Sequence, residues 1–179
     1  MCKFRDLTAG DIECRVQSVK QNGLILLLYK NARVDMNILD ETVGALNWQR
    51  EHYECKGNLF CRVGIWFGGH TIEVKSDGIY GDEGRWVWKS DCGTESNTEA
   101  QKGEASDSFK RACFNWGIGR ELYTAPFIWI PADKCDINNQ KCYDKFEVEK
   151  IIIEDKRITA IAIKNVTKGV RAFVWQENK

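Results

Sequence analysis

Residues 90–123, SDCGTESNTEAQKGEASDSFKRACFNWGIGRELY, constrain the fold more than any other part of the chain. Ser96, with Glu99 three residues on, forms a capping box that starts a helix. Gly117 and Gly119, just after Trp116, supply the stop. The helix between them spans about five turns. At about 100° per residue, Ala105, Phe109, Ala112, Cys113 and Trp116 share one apolar side that must dock on a sheet. The opposite side gathers Gly103, Asp107, Lys110, Arg111 and Phe114, with Lys102 toward one edge. Taken alone, that side reads first as a solvated face with one stray Phe. A basic pair around an aromatic ring is also what a surface needs to grip a phosphate backbone and stack bases.

The rest of the chain must supply that sheet. Residues 8–20 place Ile12, Val16 and Val19 at i, i+4 and i+7, which predicts an amphipathic helix capped near Thr8 or Asp11. Leu24 to Tyr29 is a continuous apolar run and reads as a buried strand. Asn31 opens a second helix with Met36, Leu39 and Val43 as its buried stripe, and Gly44 ends it. Arg33 lies in its first turn, where a cation opposes the helix dipole and gains from a nearby anion. A β-meander follows. Trp48 to Cys55 turns at Lys56-Gly57-Asn58 into a strand with Leu59, Cys61, Val63, Ile65 and Phe67 at every second position. Thr71 to Lys75 and Arg85 to Lys89 continue it, the latter with Trp86 and Trp88 on one face and Lys89 as an outward charge. Past the long helix, Phe127–Ile130, a polar loop to Tyr143, a hairpin of Phe146–Glu154 and Arg157–Val166 around Asp155-Lys156, and Val170–Trp175 form a β-rich tail. The expected fold is α+β, one domain of residues 1–179 with its core at about 8–124.

Charge and composition narrow the function. Lysine plus arginine and aspartate plus glutamate both number 26, so any nucleic-acid binding must use a local patch rather than a global field. The eight cysteines contain no CxxC pair, and no signal peptide precedes them, which points to reduced thiols and a cytoplasmic location. No apolar run reaches membrane-span length. His52, Cys55 and Cys61 fit no common zinc spacing. The phosphate-cradling GxxxxGK[ST], HExxH and GxSxG are all absent, and Gly117-Ile118-Gly119 is a helix end rather than a dinucleotide loop. Asp77, Asp82, Glu83 and Asp91 are close enough in sequence to serve a Mg²⁺-dependent nuclease, although turn sequences also favour Asp for local hydrogen bonds.

The string WVWKSDCGTESNTEAQKGEASDSFKRACFNWGIGRELY resembles the Rad52/Rad22 family of double-strand-break repair and single-strand annealing proteins, most closely its short phage and Gram-positive bacterial versions. ARVDMNILDETVGALNWQREHYEC and LFCRVGIWF extend the likeness to about residues 8–124, and SDSFKRACFNWGIGRELY is its most specific part. The resemblance implies a βββα core whose hairpin packs on the long helix, assembly into rings or helical filaments, and an ATP-independent, non-enzymatic protein without cofactor or metal. It implies single-stranded DNA held in a basic groove for annealing in recombination and repair. By the same resemblance Lys110 and Arg111 match the family's basic pair, Lys102 a basic position two turns earlier, and Arg33 an arginine opening the preceding helix. Lys89 and Arg120 are added because they flank the long helix. Phe114 replaces an arginine of eukaryotic members, so stacking takes a larger share of the grip, and Ala45 replaces an aromatic. Implied partners are further copies of the chain and a recombinase, single-strand binding protein or exonuclease. A DNA-processing nuclease and a non-catalytic interaction module are the alternatives.

Overall fold

Strand periodicity wins over helix periodicity at the start of the chain. In the computed structural model Glu13–Lys20 is a strand, β1, and not the predicted helix. The structure describes residues 3–69, 72–81, 83–94 and 100–178, with 72–75, 78–81 and Ala100 given by their backbone. Along β1, Glu13, Arg15 and Gln17 face solvent while Cys14, Val16 and Ser18 are half-covered. Its register with the next strand slips between Val16 and Ser18. A bulge inserts one extra residue into a period of two, so Val19 also turns inward and the spacing imitates a helix. The capping chemistry is present but closes only the 3₁₀ turn Ala9–Asp11. Both the backbone N–H and the hydroxyl of Thr8 donate to Asp11 Oδ2 at 2.8 Å. The chain therefore opens strand–strand–helix instead of helix–strand–helix.

The chain divides into two interleaved units, Met1–Arg5 with Ala32–Ile118, and Asp6–Asn31 with Gly119–Lys179. The first unit contains α1 (Ala32–Val43), β3 (Trp48–Cys55), β4 (Asn58–Phe67), β5 (Ile72–Lys75), β6 (Gly78–Gly81), β7 (Arg85–Cys92) and α2 (Ala100–Trp116). Strands β3, β4 and β7 form an antiparallel sheet in that order, and β5 pairs with β6 as a separate hairpin between β4 and β7. Helix α2 packs on β4 and β7, giving the expected βββα core.

Cys61, Val63 and Ile65 of β4 are buried beneath Phe109, Ala112 and Cys113 of α2, in keeping with the alternation and the helical stripe. Burying a side chain of the size of Phe109 stabilises by roughly 1.5–3 kcal/mol. In α1 the buried stripe is Val34, Asp35, Ile38 and Leu39, and Met36 and Val43 are only half-covered. The two i, i+4 pairs form one stripe, disguised in sequence because one of its members is an aspartate. On the sheet face away from α2, Trp66, Trp86 and Trp88 pack in a row, with ring centroids 5.5 and 5.9 Å apart. The guanidinium of Arg62 lies 4.5 Å above the Trp88 ring.

The second unit is one antiparallel sheet. It joins β1 and β2 (Gly23–Tyr29) to β8 (Ile128–Pro131), β9 (Phe146–Glu154), β10 (Arg157–Asn165) and β11 (Val170–Gln176). The order is β11-β10-β9-β1-β2-β8, and the edge strands β8 and β11 touch, so the sheet is rolled nearly closed. Leu24, Leu26, Ile128, Ile130, Ile158, Ile161 and Ile163 fill its interior. Asp155 and Lys156 have φ of 49° and 63°, the paired positive values of a two-residue hairpin turn, as their position between β9 and β10 requires. The tail thus completes the sheet that β1 and β2 begin. Among the described residues no helix is long and apolar enough to cross a membrane.

Candidate nucleic-acid interface

The candidate interface is built on α2, and five contacts set how that helix lies. Phe109 is fully buried and stacks on Trp48 with centroids 6.1 Å apart. The Arg50 guanidinium lies 4.7 Å from the Phe109 ring centroid. At the far end the Trp116 indole N–H donates to the Val63 carbonyl at 3.0 Å. Near the start, Glu104 Oε1 accepts the Leu59 N–H at 3.0 Å and Asp107 Oδ2 accepts the Thr94 N–H at 3.1 Å. Gly93 lets β7 hand over to the helix at close range. A Cβ there would stand 2.2 Å from the Glu104 carbonyl oxygen, so no other residue fits without moving backbone. The predicted cap at Ser96 and Glu99 lies outside the described residues.

With Phe109, Ala112 and Cys113 turned to the sheet, Lys110, Arg111 and Phe114 are left on the other side, whereas Lys102, seven residues before Phe109, falls on the Phe109 side two turns earlier, near the start of the helix. Lys102 and Arg111 are exposed, and Lys110 and Phe114 are half-buried. Arg33 is exposed in the first turn of α1, which packs against α2. Two touching helices therefore carry four of the predicted cations together with Phe114. Lys89 is placed differently. Its side chain points toward α2, its amine donates to the Asn115 carbonyl at 2.8 Å, and it sits 4.6 Å from the Trp116 ring centroid. It acts as a cation at the C-terminal end of the helix, where the dipole favours it. Arg120 is exposed in the 3₁₀ turn Arg120–Thr124 and belongs to the second unit.

Sequence reasoning weighed Asp91 only as a nuclease carboxylate and missed its place beside Arg111. Strand β7 runs on to Cys92, three residues past its expected end at Lys89. Asp91 consequently continues the row Val87, Lys89, Asp91 on the helix side, and its Oδ1 lies 3.3 Å from Arg111 Nε. The period of two set by Trp86 and Trp88 could have revealed this, had it been carried two residues further. Of the other carboxylates considered for a nuclease, Asp82 lies outside the described residues. Among the described residues no group of three or more His, Cys, Asp and Glu side chains gathers in a way that could hold a metal ion.

Chemically, such a face can neutralise phosphates, offer a guanidinium for bidentate contact, and lend one aromatic ring to a base. The chain matches the model of the Rad52/22 family double-strand break repair protein over residues 5–139. Comparison with curated proteins gives no match, and comparison with solved structures gives none either. The matched span takes in all of the βββα core, the two helices that carry Arg33, Lys102, Lys110 and Arg111, and the turn with Arg120. A chain with that core, matched over most of its length, belongs to the Rad52/22 family of double-strand break repair proteins.

Proposed function

We propose that this protein binds single-stranded DNA and anneals complementary strands without ATP, acting as a binding machine rather than an enzyme in homologous recombination and repair. The observation that carries this reading is the outward face of α2, where Lys110, Arg111 and Phe114 stand together on the helix of a double-strand break repair family. Lys and Arg release counterions from phosphates, so binding is salt-dependent and indifferent to sequence. Watson–Crick pairing then supplies the choice of partner strand, and the protein supplies alignment. Repetition of the face around a homo-oligomer, ring or filament, multiplies a modest local grip through effective concentration. That arrangement also reconciles the balanced count of 26 basic and 26 acidic residues with an anionic ligand. The setting we propose is the cytoplasm of a bacterial or phage-infected cell, with a recombinase, single-strand binding protein or exonuclease as working partner.

A gel-shift titration with a labelled oligonucleotide at two salt concentrations, with and without magnesium, tests the reading. The expected result is a shift that weakens with salt and leaves the oligonucleotide intact in magnesium. Magnesium-dependent loss of the oligonucleotide would identify a nuclease instead. Absence of binding at low salt would identify an interaction module.

A further inference from the structure

The contact between Asp91 and Arg111 has a consequence for how the strand is released. Asp91 is held in place by groups other than Arg111. Its Oδ1 accepts the Cys92 N–H at 2.9 Å, and its Oδ2 lies 3.4 Å from Asn115 Nδ2. Asn115 is itself fixed from the same strand, because Nδ2 also donates to the Ser90 carbonyl at 3.0 Å and its own carbonyl accepts the Lys89 amine at 2.8 Å. The carboxylate is therefore a fixed feature of the seam between β7 and α2. Arg111 reaches it from the exposed side, with 44% of its side-chain surface open against 24% for Asp91. A phosphate arriving at Arg111 comes well within the roughly 10 Å screening length of a stationary negative charge.

We infer that Asp91 is the built-in counter-anion of Arg111. It is a positioning residue that holds the guanidinium in place before nucleic acid arrives and then competes with the phosphate for it. This inference rests on the annealing function proposed above. Its value to that function is reversibility: an annealing protein must let go of the duplex it has made, and a competing carboxylate at the grip lowers the cost of release. The effect is moderate because the ion pair is half-exposed and partly screened by water.

The test measures dissociation constants for a fluorescent single-stranded oligonucleotide with the parent, Asp91→Asn, Arg111→Ala and the double variant. Asp91→Asn keeps the side-chain oxygen that accepts the Cys92 N–H, removes the charge, and exchanges the long contact of Oδ2 with Asn115 Nδ2 for an amide NH2. Thermal melting confirms that each variant is folded, and Asp91→Glu, which restores the charge, should return binding to the parent value. The expected result is about fivefold tighter binding by Asp91→Asn. Its dependence on salt should also be steeper by about 0.7 in the logarithmic slope, as for one additional single-strand phosphate contact. In the Arg111→Ala background the same change should have no effect. Binding by Asp91→Asn that is equal to or weaker than the parent overturns the inference. So does an equal gain in the Arg111→Ala background, which would make Asp91 a general repulsive charge. A parent that binds no strand at any salt removes the function and this inference together, whereas a parent that binds normally with Asp91→Asn no tighter removes this inference alone.

Discussion

The indole N–H of Trp116 donates to the carbonyl oxygen of Val63 at 3.0 Å, tying the last turn of α2 to the central strand of its sheet. The Trp116 ring also stacks on Phe67, with centroids 6.1 Å apart, and underlies the Lys89 amine. Trp116→Phe keeps a ring and loses the donor. It should lower stability by about 1–2 kcal/mol, from the lost hydrogen bond and a weaker cation–π contact. Denaturant unfolding checks this, with a lower midpoint and an unchanged slope expected.

Gly119 and Gly57 both have positive φ, 74° and 75°, but differ in surroundings. A Cβ on Gly119 would fall 2.3 Å from Lys30 Cε, whereas Gly57 has nothing within 4 Å. Gly57→Ala should cost about 1–2 kcal/mol for the left-handed backbone alone. Gly119→Ala should cost more, because the buried Lys30 stem must also move. Melting temperatures of the two variants give the ranking.

These elements separate what the sequence showed from what it hid. The faces of α2, the alternation of β4 and the hairpin of β9 and β10 were legible because each follows a single period without interruption. β1 was misread because its bulge adds one residue to a period of two, and the α1 stripe because buried Asp35 breaks the apolar pattern. The pairing of β1 and β2 with strands more than a hundred residues later leaves no local signal, so the six-stranded sheet could not be read from the chain. At the site, the outward direction of Lys110, Arg111 and Phe114 followed from helical geometry. The engagement of Lys89 with the end of α2 and of Asp91 with Arg111 depends on strand-to-helix packing, which the sequence does not display.

Burial pushes the Cys14 thiol up to about 12, with Glu147 adding to it, and pushes Cys61 and Cys135 up to about 11. The thiolate is the reactive species, so these three should resist alkylation near pH 8 in the folded protein. Exposed Cys55 should be labelled first, half-covered Cys14 slowly, and buried Cys61 and Cys135 only on unfolding. Mass spectrometry after timed labelling measures the order.

Hydrogen bonds from Tyr29 and Asn31 hold the Glu13 carboxyl below its usual range, and the bond to Glu13 raises Tyr29 in turn. A lowered acid contributes stability that is present above its unfolded value and lost as pH falls through the folded one. A raised phenol contributes stability that is present below its unfolded value and lost as pH rises through the folded one. Glu13→Gln should therefore flatten the acid limb of the stability profile, and Tyr29→Phe the alkaline limb. Unfolding free energies measured from pH 3 to pH 11 test both.

The most direct measurement is the rate at which complementary oligonucleotides anneal in the presence of the parent and of Lys110→Ala with Arg111→Ala. Both side chains sit on the face of α2 turned away from the core, so the double variant should melt like the parent. The expected result is a folded protein that no longer accelerates annealing. A folded double variant that anneals as fast as the parent would contradict the assignment of this face as the grip on DNA.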